Sequence, residues 1–405
     1  MKKFLKLAIY LLAFGGLFLF FACNNSTGPG PANSDLTANN HVFVFGNYQD
    51  PVITSKWFAY YWEDGSRNDM SVKNAGGTSV HDVAVVNGTR YEAGEYWSND
   101  NPNTDPDEAC YWVNEGDCND ICKGCAIAIA ATGSDNIYIL GHKYEASKTY
   151  DKYDYWYCNA ETSDSQITLN PPSDTTTITT TNIYPKAIAI NGTDVYIVGS
   201  YYFDDQATDD GGYKACFWKN GECQTLESEG QARAYDIAIQ DGKIYITGQC
   251  IYNGTGWNAC YWEYTDGNWQ LNHLTNINET GHIIDAARAD VVTIANNQLY
   301  IGGSYTANAA DPENIPYKKA CYWEPTDANP TATDARYDFN PAVSGDAFVH
   351  AIAVSGSTIY GACEYYTHVD QENGNGTICY WTGDKNKTQS LGDVTEICGI
   401  TVVTQ

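Results

Sequence analysis

Basic residues are scarce in this chain: 22 Lys+Arg stand against 50 Asp+Glu, a formal net charge of -28. A surface so acidic repels phosphate backbones, which excludes nucleic acid as a partner. Only 2 of 405 residues are Met and only 18% are charged, so the usual material of long amphipathic helices is thin. Fixed-spacing catalytic signatures are missing too. There is no Gly-x-Ser-x-Gly elbow, no His-Glu-x-x-His and no Walker loop, so the familiar hydrolase and nucleotide classes lack their motif, which does not exclude an enzyme whose site is assembled from single residues far apart in the chain. What the chain has in quantity is 32 Tyr, 11 Trp and 36 Gly. That bias favours β-structure, and its aromatic share excludes an acidic disordered chain.

The N-terminus runs Met1-Lys2-Lys3, then an apolar stretch from Phe4 to Phe21 broken only by Lys6, then Ala22-Cys23. A basic head, an apolar segment and a small residue form an export signal, although the length also suits a membrane-spanning helix. Residues 24–31, Asn-Asn-Ser-Thr-Gly-Pro-Gly-Pro, make a flexible tether without an apolar side chain. The Ala22-Cys23 junction resembles the lipobox of bacterial lipoproteins. That resemblance implies removal of residues 1–22, acylation of Cys23 and a tether over 23–40. Asn24 in place of Asp implies, by the same resemblance, the outer membrane, with a periplasmic or a surface-exposed face left open. Removing Lys2, Lys3 and Lys6 takes the mature charge from -28 to -31 (-28 - 3).

Internal repetition dominates the remainder. Ala-Cys-Tyr-Trp recurs at Ala109–Trp112, Ala215–Trp218 (with Phe217), Ala259–Trp262 and Ala320–Trp323, with weaker copies ending at Trp62, Trp156 and Trp381. These seven tryptophans are spaced 50, 44, 62, 44, 61 and 58 residues apart, the length of a four-stranded propeller blade. Upstream of each copy lies an apolar run, a tight turn and a strand of the form Tyr-x-x-Gly. Examples are Ala187–Ile190, Asn191-Gly192 and Tyr196–Gly199, and Ile237–Ile239, Asp241-Gly242 and Tyr245–Gly248. Asn-Gly and Asp-Gly between β-patterned runs signal hairpins, because both turn residues must take positive φ.

Four antiparallel strands repeated seven times predict an all-β fold, a seven-bladed β-propeller over residues 41–405. His41–Gly46 matches a second strand and Ile397–Ile400 an innermost one, so the ring is expected to close by pairing the C-terminal strand with N-terminal strands, leaving no free sheet edge. An open solenoid or two sandwiches are the competing layouts. The blades resemble those of secreted bacterial propeller lipoproteins with Tyr-Trp-x-x-Gly-type repeats, a likeness of architecture that carries no activity.

With Cys23 assigned to lipid, 13 cysteines remain in an oxidising compartment. Candidate disulfides are Cys250 with Cys260, Cys363 with Cys379, Cys110 with Cys118 and Cys216 with Cys223; Cys321 has no evident mate. Cys118-x3-Cys122-x2-Cys125 matches by spacing the iron-sulfur motif of radical enzymes, against which the export signal and the missing βα pattern weigh; a disulfide plus a leftover thiol, or a structural zinc site, are the other readings.

The residue just before each innermost strand is expected to line one mouth of the central channel: Glu396, His81, Cys125, Lys186, Tyr235, Asp290 and His350. Of these, Asp290, His350, Glu396 and His81 form an arc suited to a divalent cation or acid-base work, or a hydrogen-bonded rim. The acidic loops Asp100–Glu108 and Asp204–Asp210 suit Ca²⁺ without matching a calcium-loop spacing. No other cofactor is expected. The tyrosine-rich loops Tyr201–Tyr213 and Tyr305–Tyr317 are expected to bind a glycan or an envelope protein. The expectation is therefore a monomeric, lipid-anchored, non-catalytic binding scaffold. A propeller hydrolase or lyase working at the channel mouth, and an envelope component without a small ligand, are the alternatives.

Overall fold

The computed structural model describes residues 7–9, 40–49, 56–63, 66–71, 76–97, 107–114, 116–133, 136–143, 152–159, 162–172, 182–203, 211–252, 256–274, 286–307, 317–325, 335–339, 346–366, 377–382, 388–391 and 396–404. Cys23, nearly all of the expected signal and tether, the Asp204–Asp210 loop, most of Asp100–Glu108 and the tips of both tyrosine-rich loops lie outside them. Among the described residues there are strands and tight turns and no helix, hence no helix long and apolar enough to cross a membrane.

The strands form consecutive four-stranded antiparallel units. Unit 1 combines Glu396–Thr404 with Asn40–Gln49, Trp57–Glu63 and Ser66–Asp69, the first two paired along Asn40↔Thr404 to Asn47↔Glu396. Unit 2 holds Gly77–Val86, Thr89–Trp97, Glu108–Val113 and the first part of Asn119–Gly133. The rest of that long strand opens unit 3, continued by Asn136–Lys143, Lys152–Asn159 and Thr162–Thr168. Gly124 divides the two roles at φ 153, where a Cβ would fall 2.0 Å from the backbone oxygen of His142.

Units 4 to 7 begin with Asn182–Asn191, Ala232–Gln240, Ala287–Ala295 and Ala347–Ser355, each followed by three more strands of its own sheet. Three first hairpins turn as their sequences require, Asn87-Gly88 at φ 50 and 79, Asp241-Gly242 at φ 51 and 80, and Asn296-Asn297 at φ 51 and 61, whereas in unit 4 Asn191 stays in the ladder opposite Asp194 and the turn falls one residue later, at Gly192-Thr193 with Gly192 at φ 63.

The first strand of each unit touches the first strand of the next, and Glu396–Thr404 touches both Ala347–Ser355 and Gly77–Val86. Close approach needs small or flat apolar faces, which Ala187, Ile188, Ala189 and Ile190 supply, all fully buried. Leu7–Ile9 pairs in parallel with Val83–Val85 and touches the first strands of units 5, 6, 7 and 1.

One further repeat joins neighbouring units and another closes single ones. Trp112, Trp218 and Trp262 are buried to within 1%, and each indole Nε1 donates to a carbonyl just beyond the outer strand of the preceding unit: Ser71 at 3.0 Å, Asn170 at 2.7 Å and Glu227 at 2.8 Å. Such a ring removes its apolar area from water, worth about 2–3 kcal/mol, and keeps its one donor satisfied. Within single units, a buried apolar residue follows the outer strand in units 1 and 3 to 7, its N–H donating to the third strand, as from Met70 to Ala59, Leu226 to Ala215, Leu274 to Ala259 and Phe339 to Ala320.

Candidate functional site

Each first strand carries a register shift near its start opposite its second strand, and that of unit 3 carries a second one between Ala131 and Gly133. The extra residue is Cys398 in unit 1, His81 in unit 2, Ile127 in unit 3, Lys186 in unit 4, Tyr235 in unit 5, Asp290 in unit 6 and His350 in unit 7. A bulge leaves its residue out of the ladder and re-aims its side chain. The row therefore contains five of the seven positions expected from sequence, while Ile127 and Cys398 stand where Cys125 and Glu396 were expected, each two residues further on.

In six units a glycine of the second strand faces the residue just before the bulge, Gly94↔Val80, Gly248↔Ala234, Gly303↔Ala289, Gly141↔Ala126, Gly199↔Pro185 and Gly46↔Ile397, whereas in unit 7 Cys363 faces Val349. A Cβ on Gly94, Gly248 or Gly303 would lie 2.0 Å from the backbone oxygen of Ser79, Arg233 or Arg288, so the bulge presses the strands together there and only glycine fits. Counting from that glycine locates the bulge in units 1 to 6, including units 1 and 3, where counting from the start of the apolar run misses it by two residues.

Most side chains around this row are locked into pairs. His81 Nε2 lies 3.1 Å from Glu95 Oε1 and His350 Nε2 lies 3.0 Å from Glu364 Oε2, all four residues buried. Arg288 holds Asp290 through both Nε and Nη2 and covers the ring of Tyr235 at 4.7 Å. Burial pushes the Tyr235 phenol up to about 12, with Asp290 raising it and Arg288 opposing. Glu396 accepts from Asn47 Nδ2 at 3.2 Å, and the same amide nitrogen lies 3.2 Å from Cys398 Sγ. The arc of Asp290, His350, Glu396 and His81 is thus divided among four separate partners. Among the described residues the one set of three metal-type donors whose ligand atoms all lie within 4.8 Å is His81, Glu95 and Cys125. Glu95, the residue after the unit 2 glycine, was not singled out from sequence.

Beside that set lies a cavity of about 90 Å³ lined by His81, Ile127, His142, Tyr153, Pro185, Lys186 and Cys398, so bulge residues of units 1, 2, 3 and 4 share one wall. At the turn end of the strands, a second and larger hollow of about 360 Å³ lies between units 5 and 6. It is lined by Asp241, Lys243, Tyr245, Tyr261, Glu263 and Gln298, among others. The two tyrosines are buried and form its floor. Lys243 Nζ and Glu263 Oε1 pair at 3.4 Å across its rim, and Gln298 donates to the Pro325 carbonyl at 2.9 Å.

The cysteine pairs expected from sequence are neighbours among the described residues. Cys110 shares a thiol hydrogen bond with Cys118, Cys216 with Cys223 and Cys250 with Cys260, while Cys363 and Cys379 face each other in register. Burial pushes Cys110, Cys216, Cys260, Cys363 and Cys379 up, Cys379 to about 12. Cys118, Cys122 and Cys125 do not gather: Cys118 turns to Cys110, Cys122 pairs opposite Ala109 in unit 2, and Cys125 opposite His142 in unit 3.

No protein-family model matches the chain, and no curated protein does. Solved structures do. A puromycin-hydrolyzing peptidase of Mycobacterium tuberculosis is similar at a TM-score of 0.51 and 8% identity, covering 88% of this chain and 52% of its own. The β-propeller domain of the Trilobed protease from Pyrococcus furiosus is similar at 0.46 and 11%, covering 93% and 99%. An acylaminoacyl peptidase of Pyrococcus horikoshii is similar at 0.46 and 12%, covering 89% and 52%. The chain spans about half the length of the two peptidases. At these identities the likeness to the first concerns the fold alone.

Proposed function

We propose that the seven units close into a single seven-bladed β-propeller that is exported, anchored by lipid at Cys23 and held in the cell envelope at the outer membrane, where it serves as a non-catalytic binding scaffold. Closure is supported by the contacts of each first strand with the next and by the pairing of Asn40–Gln49 with Glu396–Thr404, which joins strands from opposite ends of the repeat array in one sheet.

The observation that carries the binding reading is the hollow of about 360 Å³ between units 5 and 6. Its volume falls in the range of small-molecule sites. A tyrosine floor with an ammonium, carboxylates and an amide at the rim matches a ligand with apolar faces and many hydroxyls, the chemistry of a sugar. By contrast the imidazoles and carboxylates of the bulge row are mostly paired with one another, which favours a structural over a reactive role for most of them. The hydrolase or lyase alternative draws on His81 with Glu95 and Cys125.

A glycan array probed with residues 40–405, alongside Glu263→Ala and Gln298→Ala variants, tests the reading. Saturable binding to a glycan class that weakens at least tenfold in either rim variant is expected. An array with no binder, or binding indifferent to both substitutions, overturns it. Turnover of a glycoside or peptide substrate lost in His81→Ala would move the function to the bulge row.

A further inference from the structure

We infer that His81, Glu95 and Cys125 form a binding site for one divalent cation of the zinc type, with a fourth coordination position open toward the adjacent cavity. The three donors are a ring nitrogen, a carboxylate oxygen and a thiol sulfur, all within 4.8 Å of one another. Tetrahedral zinc, with bonds of 2.0–2.3 Å, spaces its donors roughly 3.3–3.8 Å apart, so closing on an ion takes small rotamer adjustments. Oxygen-only cations such as Ca²⁺ do not use thiolate, which sets the preference for a borderline-soft ion.

Three independent features of the molecule support the site. First, its members are preorganised by the backbone. His81 is the bulge residue of unit 2, Glu95 follows the glycine that faces the bulge, and Cys125 begins the adjoining strand just after Gly124. One continuous ladder runs through units 2 and 3, so the arrangement does not depend on how the seven units close. Second, all three are buried, Cys125 completely, His81 to 7% and Glu95 to 8% exposure. A thiolate and a carboxylate cancel the two charges of the ion, and the imidazole joins neutral, so the loaded site carries no net charge into that interior.

Third, His81 also lines the cavity of about 90 Å³, space enough for several waters at roughly 10–15 Å³ each, and so for an exchangeable fourth ligand. His142, opposite Cys125 in register and on the same cavity wall, borders that position. Three protein ligands plus an open position is the pattern of zinc sites that hold a water or a small ligand, whereas purely structural sites are closed.

The test is metal content and Co²⁺ spectroscopy on the full chain in detergent under reductant. The wild type is expected to retain one Zn²⁺ per chain after dialysis and, with Co²⁺, to show a thiolate-to-metal charge-transfer band in the near ultraviolet. Cys125→Ser is expected to lose the band and, like Glu95→Gln, to bind roughly a hundredfold more weakly. Cys321→Ser, a buried thiol outside the set, is expected to keep both. Should Cys125→Ser fail to fold by circular dichroism, the wild-type titration decides alone, because a wild type without stoichiometric metal and without the band overturns the site. So does a folded Cys125→Ser that binds as tightly as the wild type.

Discussion

Units 2 and 7 contain the same device with different third members. In both, a histidine in the bulge meets a glutamate fourteen positions later, His81 with Glu95 at 3.1 Å and His350 with Glu364 at 3.0 Å. In unit 7 the other carboxylate oxygen of Glu364 accepts from the Tyr366 hydroxyl, so imidazole, carboxylate and phenol close a network of hydrogen bonds. In unit 2 the third neighbour is the Cys125 thiol, a poor hydrogen-bond donor and a good metal ligand. A phenol completes the pair as structure; a thiol leaves it as a donor set. The difference teaches that the same bulge supplies the His–Glu geometry in both units, while one further side chain, Tyr366 two residues after Glu364 or Cys125 from the first strand of unit 3, decides what the geometry does.

The largest effect should come from breaking the closed version. His350→Ala leaves the Glu364 carboxylate buried without its imidazole, and removing one member of a buried pair costs about 3–5 kcal/mol. Denaturant melts are expected to show that loss. A triple replacement, His350→Phe with Glu364→Leu and Tyr366→Phe, should recover most of it, since an apolar cluster of similar size needs no partner and leaves no buried hydroxyl without its acceptor. Equal loss in single and triple variants would mean that packing, not the pair, holds this corner. In unit 2 the equivalent His81→Ala should cost more with Zn²⁺ present than without, because the wild type alone gains from binding: about 2.7 kcal/mol when free metal exceeds the dissociation constant a hundredfold.

A smaller effect is expected where a carboxylate joins units without an imidazole. Asp236 accepts the N–H of Ile237 at 2.6 Å with one oxygen and the N–H of Val292, in unit 6, at 2.8 Å with the other. Asp82 repeats this, bridging Val83 in its own strand and Ile129 in unit 3 at 2.9 Å each. Asp236→Ala orphans two buried donors and should destabilise the protein by roughly 1–3 kcal/mol for each. Its hydrogen exchange should rise first at Val292 if the bridge is local. Uniform exchange across all units would show that the first strands unfold together.

The architecture was legible in the sequence because each of its signals is local and repeated. Asn87-Gly88 and Asp241-Gly242 announce hairpins, and Ala-Cys-Tyr-Trp announces the third strand, whose tryptophans are the largest buried side chains. The bulge row was legible in part. His81, Lys186, Tyr235, Asp290 and His350 stand where the apolar run begins, but in units 1 and 3 the strand enters earlier, and there only the facing glycine marks the bulge. The Glu95 member of the candidate site was hidden because it belongs to the neighbouring strand, where nothing in its local pattern separates it from an exposed glutamate. The union of Cys125 with His81 needs the packing of two units, which no spacing within one strand encodes.

Unit 5 offers the means to separate the imidazole's contribution from the carboxylate's. Cys250 Sγ lies 3.7 Å from His273 Nδ1, Cys260 adds a thiol hydrogen bond, and the charge of Glu229 acts in the opposite direction. The Cys260 bond, ahead of the bond and charge of His273, draws the Cys250 thiol down to about 6 against the opposing effect of burial. A thiol whose folded value lies below its unfolded value contributes stability that is complete above the unfolded value near 9 and is lost as pH falls through about 6. Under reductant, the melting temperature of the wild type should therefore rise between pH 6 and 9 relative to that of Cys250→Ser. His273→Gln should flatten the rise without abolishing it, because the Cys260 bond remains. Parallel profiles for all three proteins would show that an imidazole beside a buried sulfur is not enough to hold a thiolate in this fold, and would assign the thiolate expected at Cys125 to the cation it shares with Glu95.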